Sequence, residues 1–279
     1  MNDIEKPSTE RRNPATTYID RVDTATMLRM MQEANRRSVE AVDGALEAVG
    51  KAVDAAAAAL ARGGRLIYAG AGTSGRLAVQ DAAECPPTFG VSSGTVVALI
   101  AGGPEAVFHA VEQVEDSAEA GRADMAALAP SPADFVVGVS ASGNALYVAA
   151  ALASAMEAGC RTAAISSNRE CRLAEVADIF IFTDTGPEVI TGSTRLKAGN
   201  AQKMVLNMIS TCAMVKTGKV YENLMVNLRP TNAKLRRRMV GIVRDIAGAG
   251  EDDARAALET NGFDIRAAVA ALRGGPLPQ

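Results

Sequence analysis

The stretch that most constrains the fold is residues 65–89, RLIYAGAGTSGRLAVQDAAECPPTF. Leu66-Ile67-Tyr68-Ala69 is a short apolar run directly after Gly63-Gly64, the pattern of a buried strand. Gly70-Ala71-Gly72-Thr73-Ser74-Gly75 follows. Leu77, Ala78, Ala82 and Ala83 then recur at helical spacing, and the Pro86-Pro87 pair is expected to end that helix. Strand, glycine-rich loop and helix together form a device for holding an anion. Glycines admit close backbone approach, N–H groups at the helix start point outward, and the helix dipole favours negative charge. Thr73 and Ser74 add hydroxyl donors. No Lys-Ser/Thr follows the last glycine, so this is not a P-loop. GAGTSG fits GxGxxG, but a single match of that kind is weak. The dinucleotide reading also wants an acidic residue about 20 residues on, and the next strand candidate, Thr95 to Ile100, ends in Ala101-Gly102-Gly103. A phosphate on something smaller than a dinucleotide fits better; the competing reading is a tight turn with no ligand.

A second unit of the same kind strengthens the first. Phe135–Val139 reads as a strand, runs into Ser140-Ala141-Ser142-Gly143-Asn144, and continues as a helix over 145–158. Two such loops at the C-terminal ends of parallel strands flank a crevice where open α/β sheets bind ligands. Residues 162–165 and 179–182 supply further strands. The expected class is α/β, a doubly wound, mostly parallel sheet of flavodoxin-like type, with an N-terminal helical arm and a small C-terminal helical module. The chain divides into an arm with helices at 1–55, a central domain at 56–219 and a helical region at 220–279.

The remaining segments give more local expectations. Residues 1–22 read as a polar extended arm. Asp23-Thr24 caps a helix, and Val39, Val42, Leu46, Val49, Val53 and Leu60 continue as an apolar stripe. That stripe suits either a subunit interface or packing on the chain's own sheet. Pro104 is expected to open a helix with Val107, Ala110, Val111 and Val114 on its buried face and Glu112, Glu115, Asp116 and Glu119 off it; His109 would pack there. Thr183–Thr194 is a third hydroxyl-rich loop, leading into a helix from Arg195 to about Thr217. Lys234–Arg238 reads as a solvated basic face or, beside a bound phosphate, a source of one cation. Residues 251–273 read as two short helices, with Ala254, Ala257 and Leu258 on one apolar face and Ala267, Ala268, Ala271 and Leu272 on the other. Gly274 onward is a frayed tail.

Composition removes several function classes. The formal net charge is −3, so nothing points to nucleic acid. The N-terminus lacks an apolar signal region, and the longest apolar stretches are too short to span a bilayer. Cys85, Cys160, Cys171 and Cys212 lack metal-like spacing and suggest free thiols in a reducing cytoplasm. Cys85 reads as a buried small hydrophobe rather than a nucleophile. A single histidine, His109, excludes a His-rich metal site.

GAGTSG and SASGN resemble the loops of sugar isomerase (SIS) phosphosugar-binding domains. Longer blocks resemble the N-acetylmuramic acid 6-phosphate etherase family: TERRNPAT with Ile19-Asp20, AGAGTSGRLAVQDAAECPPTFG, IAGGPEAVFHAVEQVED, GVSASGNA, PEVITGSTRLKAGNAQKMVLNMIST and YENLMVNLRPTNAKLRRR. The final module is similar to the family's ubiquitin-associated-like tail. The resemblance implies cleavage of the lactyl ether of N-acetylmuramic acid 6-phosphate to N-acetylglucosamine 6-phosphate and D-lactate, in cell-wall amino sugar recycling. It implies no metal, no organic cofactor, no membrane partner and a homodimer, with Arg12 and Asn13 reaching toward a neighbouring subunit's site. It also implies two catalytic glutamates, Glu84 of DAAECPP and Glu115 of QVEDS; the acidic run alone does not single out Glu115. The substrate and phosphate ligands are then Gly72, Thr73, Ser74, Ser140, Ser142, Gly143 and Asn144, with Glu188 and Ser193 from the third loop. Two other readings share the loops: an aldose–ketose isomerase acting on a phosphosugar, and a non-catalytic sugar-phosphate sensor.

Overall fold

The computed structural model describes residues 6–230 and 232–276; the expectations for residues 1–5 and for the last three residues of the tail lie outside these. Five parallel strands form one sheet in the order β2-β1-β3-β4-β5: β1 (Leu66–Gly70), β2 (Val96–Ile100), β3 (Phe135–Val139), β4 (Arg161–Ser166) and β5 (Ile179–Phe182). Every residue of β1 and β3 is buried, which is why both read as unbroken apolar runs rather than alternating ones.

Helices cover both faces. On one, α2 (Leu46–Ala61), α3 (Gly72–Phe89) and α8 (Lys197–Lys216) pack over Leu66, Tyr68, Val137 and Ile165. On the other, α5 (Ala118–Ala127), α6 (Leu146–Glu157) and α7 (Arg172–Val176) pack over Ile67, Ala69, Val136 and Ala164. The buried alanines of α2 and α6 let these helices lie close to their neighbours. None of the helices is long and apolar enough to cross a membrane among the described residues.

The N-terminal stripe belongs to two helices, α1 (Thr24–Asp43), capped by Asp23, and α2. Val42, Val49 and Val53 are buried in the main core, so much of the stripe packs on the chain's own sheet; Val39 and Leu46 beside the break at Gly44-Ala45 are exposed. The arm ahead of α1 is not an extended tail. Among the described residues it forms three short 3-10 turns and folds back onto the C-terminal ends of β4 and β5. Ser8 Oγ donates to Ser167 O at 3.1 Å, and Thr16 Oγ1 donates to Val189 O at 2.8 Å.

Two helix ends differ from expectation. Pro86 and Pro87 do not stop α3, which runs to Phe89 and ends on Gly90 in the left-handed region. Each proline removes an N–H donor and crowds the carbonyl four residues back, a cost met here only in the last turn; the buried Phe89 ring holds that last turn on the core. The expected long helix after Pro104 is only α4 (Glu105–Phe108). The chain then extends at His109, turns through Gln113 at φ 64°, and forms a 3-10 turn at Val114–Asp116. Ala106 and Val114 make the packing contacts there, while Ala110, Val111 and His109 are exposed, so His109 has no packing role. With His109, Ala110, Val111, Glu112 and Gln113 all exposed, the intervening positions bury no face that would sustain a helix.

Residues 221–273 build a separate core. α9 (Ala233–Ala247), α10 (Glu251–Thr260) and α11 (Ile265–Arg273) enclose Met239, Val243, Leu258 and Val269, with Val226 and Leu228 packed in from the preceding loop. The buried face of α11 is Ile265, Ala268 and Val269, so of the expected set Ala268 is buried, Ala267 is half-buried and Ala271 and Leu272 are not. The larger side chains at i and i+4 take the core, and Ala271 and Leu272 face solvent.

The entrances of β1 and β3 are locked by one carboxylate. Asp134 is 3% exposed and accepts hydrogen bonds from Arg65 N at 2.8 Å, Arg65 Nη2 at 2.7 Å and Ser131 N at 3.0 Å. Burial pushes its pKa up, but the Arg65 guanidinium and these N–H groups together hold it below its ordinary 3.8. A depressed carboxyl contributes stability that is present above the unfolded value and lost as pH falls through the folded one. Asp134→Asn is expected to lower stability by about 1.5–3 kcal/mol at neutral pH. In acid denaturation followed by circular dichroism, the variant should lose less further stability than the parent below about pH 4.

Candidate active site

The site is assembled where the strand order reverses. Gly70 at the end of β1 pairs with Val139 at the end of β3 and with Ile100 at the end of β2. The helix after β1 leaves toward one face and the helix after β3 toward the other, which opens a crevice at this switch point.

The first wall is the N-terminus of α3. Ala71 is extended, and the helix begins at Gly72. A Cβ on Gly70 would lie 2.8 Å from the Gly75 Cα, so glycine lets the first helical turn sit on the strand end. The N–H groups of this turn have no partners within the helix. Thr73 is half-buried beside them. Ser74 is buried, and its hydroxyl donates to Gln202 Oε1 of α8 at 2.9 Å.

The second wall is the loop after β3. Ser140 Oγ accepts from Gly143 N at 3.1 Å and Ser142 Oγ from Asn144 N at 3.2 Å, and the two hydroxyls share a hydrogen bond at 3.4 Å, so one of their two protons stays free for another acceptor. Asn144 Oδ1 accepts from Arg172 N at 3.1 Å, tying the loop to α7. Asn168, after β4, donates from Nδ2 to Ser142 O at 3.2 Å and to Thr9 Oγ1 at 3.0 Å. The folded-back arm therefore buttresses this loop within the same chain. Asn13 of the arm donates to Pro187 O at 3.2 Å and accepts from Ala15 N, so its carboxamide is engaged in its own chain.

Other expected site residues lie apart from the crevice. Glu84 is ten residues beyond Ser74, roughly 15 Å along α3. It is exposed and lines a cavity of about 160 Å³ with Asp81, Lys203 and Asn207, in the α3–α8 groove. Glu115 is exposed on the 3-10 turn Val114–Asp116, and the adjoining Val114 packs into the α6-side core. The two glutamates thus sit on opposite faces of the sheet within one chain. Glu188 is fully buried; its carboxylate accepts from Lys197 N at 3.0 Å and Ala198 N at 2.9 Å, which makes it the N-terminal cap of α8. Burial raises its pKa against the pull of those N–H groups. Burial also lowers that of Lys197, whose Nζ donates to Thr185 O and Pro187 O. Ser193 lies half-buried in the turn before α8, its N–H donating to Ile190 O at 2.9 Å. Cys85 is buried, with burial pushing its thiol up to about 12, which leaves no thiolate at neutral pH.

Comparisons place this geometry. A sequence profile described as the glucokinase regulatory protein N-terminal SIS domain matches residues 48–156. A solved phosphoheptose isomerase from Francisella tularensis superposes with a TM-score of 0.56 at 16% identity, covering 70% of this chain and 100% of that one. A putative phosphosugar isomerase from Bacteroides fragilis gives 0.53 at 22% identity, covering 71% and 94%. These show a shared fold. A protein of Serratia proteamaculans named N-acetylmuramic acid 6-phosphate etherase is 52% identical over 95% of this chain and 90% of its own length. One of the same name from Cronobacter sakazakii is 54% identical over 93% and 88%. The chain belongs to the N-acetylmuramic acid 6-phosphate etherase family. As a member of it, this protein is an enzyme.

Two further groups, not singled out by the sequence, support the candidate site. Asp81, one turn before Glu84, is buried and accepts from Tyr68 Oη at 2.9 Å, Asn207 Nδ2 at 2.6 Å and Ser210 Oγ at 3.1 Å. The signal was a tyrosine at the centre of an apolar strand, whose hydroxyl needs a partner when buried. Arg76, in the second half of GTSGR, donates from Nε to Val107 O at 3.0 Å and from Nη2 to His109 O at 2.7 Å. It clips the segment leading to Glu115 onto the helix that starts at the first loop.

Gly143 is the most exacting position of the second loop. Its φ is +72°, and a Cβ there would lie 2.3 Å from Cys171 Sγ and 2.6 Å from Ser166 Oγ. Gly143→Ala is expected to displace Ser140 and Ser142 and raise the Michaelis constant for the phosphosugar at least tenfold, while the melting temperature falls by roughly 4 °C or more. Steady-state kinetics and thermal unfolding check this.

Proposed function

We propose that this enzyme cleaves the D-lactyl ether of N-acetylmuramic acid 6-phosphate, releasing D-lactate and N-acetylglucosamine 6-phosphate, in the cytoplasm during cell-wall amino sugar recycling. The observation that carries the reading is the pair of hydroxyl-bearing loops converging at the β1/β3 switch point, in a chain about half identical to etherases along nearly its whole length. Ser74, Ser140, Ser142 and Asn144 hold the phosphate, with the N–H groups of Gly72 and Thr73 beside them, while Gly143 shapes the second loop by donating to Ser140.

An ether oxygen at C3 is a poor leaving group. In the open-chain sugar the C1 aldehyde acidifies the C2 proton. A base removes that proton, the electron pair forms the C2–C3 double bond, the C3–O bond breaks, and an acid protonates the departing lactate oxygen. Water then adds across the double bond, its hydroxyl to C3 and a proton to C2. These steps need two carboxyl groups in opposite protonation states and no metal or organic cofactor. In this reading Glu84 is the acid for lactate, and Glu115 takes the C2 proton and guides the water.

Because Glu84 and Glu115 lie on opposite faces of one sheet, the reading requires a homodimer in which one copy's Glu84 meets the other copy's loops. Two features support it. Tyr18 and Leu28 on the arm and the first half of α1 are 60% and 63% exposed. A cleft of about 770 Å³ opens between that half-helix and the arm, lined by Asn13, Met30 and Arg37 among others.

Purified enzyme with the muramic acid 6-phosphate should release D-lactate. Glu84→Gln should fold, bind substrate and lose almost all release; normal turnover would overturn its role. If Glu115→Gln still exchanges the C2 proton with solvent deuterium, Glu115 is not the base. Light scattering at micromolar protein should give twice the 28.8 kDa chain mass. Mixing the two inactive variants should restore roughly a quarter of the activity, since half of random dimers are mixed and one of their two sites is intact. No recovery from mixed dimers would exclude a shared site.

A further inference from the structure

We infer that Gln202 is a positioning residue that sets the direction of the Ser74 hydroxyl proton, and thereby whether the first loop offers a phosphate oxygen a donor or a lone pair. The inference rests on the reading that this loop holds the phosphate of the substrate.

Gln202 lies on the second turn of α8 and is 1% exposed. One end of its carboxamide is used: Oε1 accepts from Ser74 Oγ at 2.9 Å. The other end, Nε2, is buried with no hydrogen-bond partner among the described residues. Buried polar groups in native proteins are nearly always paired, and an orphaned amide donor points to a function. Ser74 is the third residue of α3, where the helix presents its unpartnered N–H groups.

A serine hydroxyl has one proton. With that proton given to Gln202, Ser74 presents only lone pairs toward the crevice, which repel an anionic oxygen. A half-turn of the carboxamide exchanges its ends. Nε2 then donates to Ser74 Oγ, the serine proton turns outward, and the loop gains a donor aimed at the phosphate. Either orientation leaves one end of the carboxamide unpartnered, so the protein alone gains little from choosing. An anion in the loop favours the second orientation by one charge-assisted hydrogen bond. Glutamine is the side chain this device needs. A carboxylate at the same position accepts only, captures the serine proton permanently and adds a negative charge beside the phosphate. A thioether leaves Ser74 undirected.

The test uses the full-length enzyme with N-acetylglucosamine 6-phosphate as the competing ligand, measured as an inhibition constant across pH, alongside kcat and KM. At pH 8, Gln202→Glu is expected to weaken binding about tenfold to a hundredfold with kcat little changed. As pH falls and the introduced carboxyl gains a proton, it becomes able to donate, and affinity recovers toward that of the parent. Neither the parent nor Gln202→Met shows such a recovery. Binding by Gln202→Glu that equals the parent at pH 8, or a loss that does not recover in acid, overturns the inference. Should Gln202→Glu fail to fold, the cycle of Ser74→Ala, Gln202→Met and their double variant decides. If Gln202 acts through Ser74, Gln202→Met has no further effect on affinity once the hydroxyl is gone; additive losses overturn the inference. Ser74→Ala separates the two levels: unchanged affinity in that variant removes the phosphate-loop reading itself, whereas a loss there with none in Gln202→Glu removes only the role of Gln202.

Discussion

The departure of the chain in opposite directions from the ends of β1 and β3 is the constraint on which the other features depend. The strand order reverses between β1 and β3, and right-handed crossovers leading outward from there put the helix after β1 on one face and the helix after β3 on the other. That leaves the strand ends uncovered. The backbone groups exposed there need partners, and the sequence supplies small hydroxyl and glycine residues that leave room for a ligand to provide some of them. The packing on either side serves this opening. α3 and α8 grip one face through alanine, leucine and the Asp81 network, and α6 grips the other.

Much of this was legible in the amino acids. Fully buried parallel strands announce themselves as apolar runs between glycines, and β3 and β5 fall where those runs lie. The two loops could be found because glycine and serine are costly inside regular structure and cluster only where the backbone turns tightly. Helix ends were harder to place. Pro86-Pro87 carries a strong local stop signal, but the burial of Phe89 one turn away outweighs it. The segment after Pro104 has helical spacing in its valines, yet Val114 packs into the core while Val111 is exposed, and the spacing decides nothing without one common surface to pack on.

The candidate site was legible in a different proportion. Hydroxyls and glycines in the loops are visible because they are local. Arg76, Asp81 and Gln202 were not, because what they do lies in contacts across the fold, and Glu115 is one exposed carboxylate in an acidic run that does not single it out. Ser74 and Gln202 are separated by 128 positions in the chain, and Asp81 and Ser210 by 129. Glu188 illustrates the converse. A carboxylate in a hydroxyl-rich loop invites a binding role, whereas the structure spends both its oxygens on the first N–H groups of α8. Buried acids at helix starts satisfy the backbone before they are available to anything else.

The double use of Asn168 has a consequence for how the protein comes into being. Its carboxamide joins Thr9 of the arm to Ser142 of the second loop, and the contact with the arm spans 159 positions. A chain leaving the ribosome exposes the arm first, yet the arm has nothing to fold onto until β4 and the turn after it have emerged. The first loop must wait longer still, for α8. Closing such long loops is entropically slow, so the crevice is among the last parts to take shape. The arm and the glycine-rich turns spend the interval without their native contacts, and during synthesis they are the segments most open to chaperones and proteases.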